Sequence, residues 1–228
     1  EITTRLVGSE MCIRDRIEDL ETTYSMGFRG EALASIVAIS KLTMISKTKD
    51  ENTGIKVIAK AGDILEKEEV ATQTGTSIIV EDLFFNTPVR YKFLKKDFTE
   101  AGYIEDAVTR IALVNPNIGI RLISSGKTII QTTGNGDSKS VIYNIYGKDI
   151  AENILNVDYT YDDIRITGVV GKPVIARSNR SNQLFFVNKR FIKDKALTSS
   201  AEQAFKGMLT IGTVSYTHLR AHETRSNL

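Results

Sequence analysis

Apolar positions along this chain alternate between helical and strand spacing, and that alternation lays out most of its elements. Over 31–40, Leu33, Ile36, Val37 and Ile39 form a stripe of helical period. Residues 41–47 read as a strand, 54–60 place Ile55, Val57 and Ala59 on one face, and 64–70 return as an antiparallel partner across Ala61-Gly62-Asp63. The run 77–83 is apolar almost without interruption, which predicts a strand at a sheet centre. Asn86-Thr87-Pro88 breaks it ahead of a short helix over 89–94. Thr99 and Glu100 are expected to cap a longer helix whose buried stripe is Ile104, Ala107, Val108, Ile111 and Val114, with Pro116 as its stop. A hairpin of 118–124 with 127–132 turns at Ser125-Gly126.

Gly134-Asn135-Gly136-Asp137 carries two glycines and no apolar residue between two periodic segments, and so reads as a linker. Beyond it the pattern predicts a helix over 138–146 with Val141, Ile142 and Ile145 inward and Gly147 as its stop. Strands over 155–161 and 164–171 follow, joined by Asp162-Asp163. A polar loop, a strand over 183–187, a turn at 188–190 and a helix over 195–208 complete the series, the last with Leu197, Ala201, Ala204, Phe205 and Met208 as its core stripe. The expected organisation is an α/β sandwich over 17–133, a linker over 134–137 and a second α/β unit over 138–212.

The two ends break this order. Residues 6–16 and 213–228 show no apolar periodicity continuous with their neighbours, and they look like translated sequencing-adapter read-through. Segment 1–16 is therefore expected to be a non-native or ambiguous end and 213–228 a non-native tail, and both are set outside the expected fold. The only cysteine, Cys12, and both histidines, His218 and His222, fall there. Two histidines four apart suit one helix face as metal ligands, but no third ligand accompanies them, and no metal site is expected.

With 228 residues, 41% hydrophobic and 25% charged, the composition is that of an ordinary soluble protein. No run of 18 apolar residues is present, which excludes a spanning helix. One cysteine cannot close an internal disulfide, and a reducing cytoplasm is the simplest setting. The net charge of +2 is too small to imply an acidic partner. Its distribution is more informative. Between 172 and 195, Lys172, Arg177, Arg180, Lys189, Arg190, Lys193 and Lys195 face a single acid, Asp194, a net of +6 in 24 residues. Such a local field suits phosphate oxygens, although a solvated face explains the charge alone equally well.

Candidate chemistry concentrates at Gly27-Phe28-Arg29-Gly30, a glycine-bounded turn running into Glu31-Ala32-Leu33 at a helix start. Amide hydrogens and the helix dipole at such a place suit a phosphate, though a purely structural helix start is an equal reading. The string over 27–36 resembles the third motif of the MutL/PMS mismatch-repair family, within the gyrase–Hsp90–histidine-kinase–MutL ATPases. GTSIIVEDLFFNTPVRYKFL over 75–94 resembles the fourth motif, and the likeness continues through QLFFVNKRFIKDKAL over 183–197. It covers roughly residues 17–212.

The resemblance implies a partial Bergerat-type ATPase sandwich followed by a ribosomal-protein-S5-like domain. It implies ATP and Mg2+ as cofactors of the intact parent, with the turn Gly27–Gly30 and the N–H groups of Glu31, Ala32 and Leu33 at the phosphates. Arg29 adds charge there or forms a structural salt bridge, and Phe28 anchors the turn. Thr76 matches the threonine that bonds to adenine, while Asn86, Thr87, Pro88 and Arg90 read as scaffold. Lys172, Arg177, Arg180, Lys189, Arg190 and Lys193 match a region that binds DNA without sequence preference.

The family's catalytic glutamate and magnesium-holding asparagine lie in a Glu-x-x-x-Asn motif that precedes the matched region. The pair Glu152 and Asn156 has that spacing but falls in the second domain and is rejected. The expected function is thus an ATP-driven mismatch-repair matchmaker, homodimeric in the parent, linking the recognition protein MutS to a downstream nuclease and helicase. This chain itself is expected not to turn over ATP. The alternative is a non-catalytic DNA-binding adaptor with a vestigial nucleotide pocket.

Overall fold

The computed structural model describes residues 32–162, 164–210 and 213–223. The described residues divide into two compact units, one up to Lys95 and the other from Lys96.

In the first unit, helix α1 (Ala32–Val37) is shorter than the predicted 31–40. The buried hydroxyl of Ser40 donates to the Ile36 carbonyl at 2.6 Å, just past its end. Four antiparallel strands follow: β1 (Lys41–Lys47), β2 (Gly54–Lys60), β3 (Asp63–Val70) and β4 (Gly75–Glu81), in the order β3-β2-β1-β4. The β2–β3 turn places Ala61 and Gly62 at φ of 55° and 98°, the geometry whose twist matches a two-residue hairpin. Val37, Leu42 and Ala59 make a small core, with Ile36 and Met44 against it.

The expectation of a central strand over 77–83 is corrected. β4 ends the strand order among the described residues and is exposed at all seven positions. An unbroken apolar run reports that both faces of a strand are apolar, not how many neighbours it has. Helix α2 (Pro88–Lys92) closes the unit.

The second unit opens with α3 (Asp97–Val114), which starts two residues before the expected cap at Thr99. Of its predicted stripe only Val114 is buried. The covered face is Thr109, Ala112, Leu113 and Val114, and Ile104 is 54% exposed. The hairpin β5 (Arg121–Ser124) with β6 (Lys127–Gln131) and helix α4 (Ser138–Tyr146) lie against α3. That packing is why the units divide at Lys95/Lys96 and not at 134–137.

The predicted linker is a tight turn and a helix cap. The Gly136 N–H donates to the Pro116 carbonyl at 3.0 Å. The Asp137 carboxylate accepts from the Lys139 and Ser140 amides at 2.9 and 3.1 Å, so a residue expected to sit in a linker serves as the N-cap of α4. Helix α5 (Lys148–Glu152), not anticipated from the pattern, follows directly after Gly147.

Strands β7 (Ile154–Tyr161), β8 (Ile164–Gly171), β9 (Gln183–Val187) and β10 (Arg190–Ile192) precede helix α6 (Lys195–Ala204) and strand β11 (Thr217–Glu223). They form one sheet in the order β10-β9-β11-β8-β7. Contrary to the expectation that the C-terminal segment stands outside the fold, Thr217–Glu223 is a strand of this sheet. β11 fills the space between β9, to which it is parallel, and β8, to which it is antiparallel. Its polar residues concealed it in the sequence, because His218 and Arg220 are buried or half-buried here with partners of their own.

Arg220 Nη2 donates to the Leu113 carbonyl at 2.6 Å, serving the C-terminal turn of α3, and to Ser138 Oγ at 3.1 Å. The core of this unit gathers Leu113, Ile142, Val169, Leu184, Phe186 and Tyr216. The stripe predicted for α6 does not join that core. No residue of α6 is buried, the helix ends before Phe205, and Met208 is 67% exposed.

Candidate functional site

Of the residues expected around a nucleotide, Gly27, Phe28, Arg29, Gly30 and Glu31 lie outside the described residues. Ala32 and Leu33 form the first turn of α1 and are exposed, Leu33 at 39%. Thr76 stands on exposed β4 opposite Ser46 of β1, and their hydroxyls share a hydrogen bond of 2.8 Å. A hydroxyl engaged once still has capacity for another partner. Gly75 beside it has φ of +135° and open space where a Cβ would stand, so the strand entry is unobstructed.

The loop after β4 acts as scaffold for α1. Asn86 Nδ2 donates to the Ala38 carbonyl at 2.9 Å, and the Phe84 amide donates to Ile39 at 2.7 Å. Among the described residues no cluster of three His, Cys, Asp or Glu side chains is placed to hold a metal.

The basic segment of the second unit is dispersed. Lys172 precedes the 3-10 turn Pro173–Ile175, and its amide donates to Asn153 at 2.8 Å. Arg177 pairs its backbone reciprocally with Val214. Asn188 and Lys189 take φ of 48° and 64° in the β9–β10 turn, which presents the exposed Lys189 at a hairpin tip. Arg190 is half-buried and already engaged.

Arg180 is not a free cation. Its Nε and Nη2 reach Glu202 of α6 at 2.6 and 3.0 Å, and the carboxylate's hydrogen bonds and charge hold the guanidinium's pKa above its usual value. Of the six predicted residues, Arg180 and Lys193 line one cleft, of about 910 Å3, beside β9, β10 and α6. Lys195 and Arg110 also line it. Sequence reasoning missed Arg110, whose guanidinium lies 3.9 Å from the centre of the Phe191 ring and which pairs with Asp106. The i,i+4 spacing of that acid and base on a helix was the available signal.

The rejected pair Glu152 and Asn156 stays apart from any such site. Glu152 pairs with Lys148 at 3.7 Å, and Asn156 is an exposed residue of β7.

The chain's likeness to known proteins runs through both units. Residues 142–222 match the family model of the DNA mismatch repair protein, C-terminal domain. The DNA mismatch repair protein MutL of Clostridium botulinum (strain Eklund 17B / Type B) is 46% identical over 194 residues, 85% of this chain and 29% of that protein. The MutL of Agathobacter rectalis is 42% identical over 192 residues, 84% of this chain and 30% of that protein. The Aquifex aeolicus MutL ATPase domain complexed with ADP superposes with a TM-score of 0.64 at 27% identity, covering 91% of this chain and 75% of that one. The chain spans about 30% of the length of the curated relatives it matches.

The architecture is thus of the ATPase-domain fold class: part of the ATPase α/β fold with an S5-like α/β unit after it. Within that class, the chain belongs to the MutL family of DNA mismatch repair proteins.

Proposed function

We propose that this chain acts within an ATP-dependent mismatch-repair matchmaker, a clamp that holds DNA and relays mismatch recognition to downstream enzymes. The observation that carries the reading is identity above 40% to MutL proteins over most of the chain. In this reading the amides of Ala32 and Leu33, with the segment Gly27–Glu31, face the phosphates of ATP, and Thr76 meets the base. ATP with Mg2+ supplies the free energy for closing the clamp. The protein works in the cytoplasm as a homodimer, with MutS upstream and a nuclease or helicase downstream.

The DNA surface is built from the exposed cations Lys172, Arg177, Lys189 and Lys193, with Arg180 and Arg190 contributing less because each is already engaged. Contacts of this kind neutralise phosphates and release counterions, so affinity falls steeply with salt and is indifferent to sequence. Fluorescence anisotropy with a labelled duplex, titrated with salt, tests the reading. The wild-type chain binds at low ionic strength, and Lys172→Glu with Lys189→Glu weakens binding by about tenfold or more. No binding at low salt, or a double variant indistinguishable from wild type, refutes the surface.

A further inference from the structure

The cleft in the second unit shares Arg180 and Lys193 with the proposed DNA surface, while the rest of its lining takes no part in that reading. At about 910 Å3 it falls within the range of small-molecule sites, roughly 300–1,000 Å3. Its charges resolve pair by pair. Asp106 is taken by Arg110, and Glu202 by Arg180. The Asp194 carboxylate accepts from the Leu197 amide at 2.9 Å, capping α6. Lys193 and Lys195, on either side of Asp194, line the same cleft, and no ion pair engages them among the described residues. Thr198 donates its hydroxyl to the Asp194 carbonyl at 2.7 Å, which leaves Ser199 as the hydroxyl donor that α6 turns to the cleft.

Leu184, Phe185 and Ile192 give the same cleft an apolar lining. A second observation concerns its wall. Gln183 is 7% exposed, and neither its Nε2 nor its Oε1 has a partner; Arg110 Nε is likewise buried and unbonded. Native interiors seldom leave such groups unmatched, and beside a cavity a water, an ion or a ligand in that cavity is what supplies the missing partner.

We infer that this cleft binds a small organic phosphate, a monoester whose dianion lies between Lys193, Lys195 and Ser199 and whose compact ring covers the apolar lining. Two ammonium groups and a hydroxyl suit a dianion with three acceptor oxygens better than a single-charged carboxylate. The lining accounts for the ring.

Isothermal titration of the 228-residue chain in phosphate-free, low-salt buffer tests this with phenyl phosphate, benzoate and inorganic phosphate as probes. Phenyl phosphate binds about tenfold or more tightly than either of the others. Lys195→Gln and, separately, Ser199→Ala each weaken it about fivefold or more at an unchanged melting temperature. If a variant fails to fold, shifts of the Ser199 and Ile192 amides on titrating the wild-type chain report the same site.

Equal affinity for inorganic phosphate, the mark of an adventitious ion only, overturns the inference. So does equal affinity for benzoate, absence of phenyl phosphate binding, or affinity unmoved by both substitutions. Lys172 and Lys189 stand outside the cleft. Failure of the DNA reading therefore appears in the Lys172→Glu, Lys189→Glu variant and leaves phenyl phosphate binding intact.

Discussion

Gly134 sits against the backbone of Gly119 so closely that a Cβ on Gly134 would lie 2.5 Å from the Gly119 nitrogen. Gly134 also has φ of +70°, a conformation that side-chain-bearing residues seldom adopt. Both features argue that the segment before α4 is fixed against the loop after α3. Gly134→Ala is expected to destabilise the second unit by about 2 kcal/mol or more, combining left-handed strain with a backbone clash. A urea midpoint lowered at constant m-value checks it. An unchanged midpoint would restore the picture of a loose connector.

That segment also shows where sequence reasoning ran out. Two glycines and two small polar residues read as a linker because composition reports conformational freedom, not contacts. The same composition serves a packed turn in which Gly136 bonds to Pro116 and Asp137 caps α4. Local signals did better. Strands 41–47, 54–60 and 183–187 and the helix over 138–146 appear at the predicted boundaries, because each rests on side-chain period and an adjacent turn. Burial was less legible. Leu197 and Ile104 have helical spacing yet stay exposed, since period fixes a face and not what covers it.

For the site, the string over 75–94 contains Asn86, whose side chain ties the loop after β4 to the Ala38 carbonyl. The run of cations over 172–195 did not reveal that Glu202, more than twenty residues from Arg180, neutralises it.

The Arg180–Glu202 pair makes the DNA reading sharper. Glu202→Gln removes the anion that holds Arg180 and leaves the guanidinium available to phosphate. Duplex affinity at low salt should rise, and the slope of log affinity against log salt should steepen by about one unit. Arg180→Ala should change affinity less than Lys189→Ala, since Arg180 in the native chain is already paired. Anisotropy across a salt series measures both, and a Glu202→Gln slope equal to wild type would detach Arg180 from the DNA surface.

Gln183 offers a stability test that is independent of ligands. Its buried amide has no partner, so replacing it with a near-isosteric apolar side chain removes a desolvation cost of about 1–3 kcal/mol. Gln183→Leu is expected to leave the chain as stable as wild type or more so. Gln183→Ala, which opens a cavity, should lower stability by about 1 kcal/mol or more. Loss of stability in the leucine variant on denaturant titration would show that the amide is bonded in solution, by water or by protein.

His218 sets a pH limit on the second unit. It is 1% exposed in β11, with the Phe186 ring centre 5.0 Å from its own and the Arg220 Nε donating to its Nε2 at 3.2 Å. Burial first, and the Arg220 charge second, push its pKa from 6.5 down to about 3, against a smaller upward pull from the Leu113 carbonyl. In the folded chain the ring is therefore neutral, while in the unfolded chain it takes a proton near its ordinary pKa. The unfolded state binds more protons between those two values, so stability is full above about pH 6.5 and is lost as pH falls toward 3. The slope approaches one proton, about 1.4 kcal/mol per pH unit.

Replacing the ring with an apolar side chain of similar size, His218→Leu, should flatten this part of the profile. Thermal melts at pH 6, 5 and 4, with pH 7 as the reference above the window, compare the two chains. Parallel profiles would mean that His218 is charged, or exposed, in the folded protein. β11 would then not lie between β8 and β9.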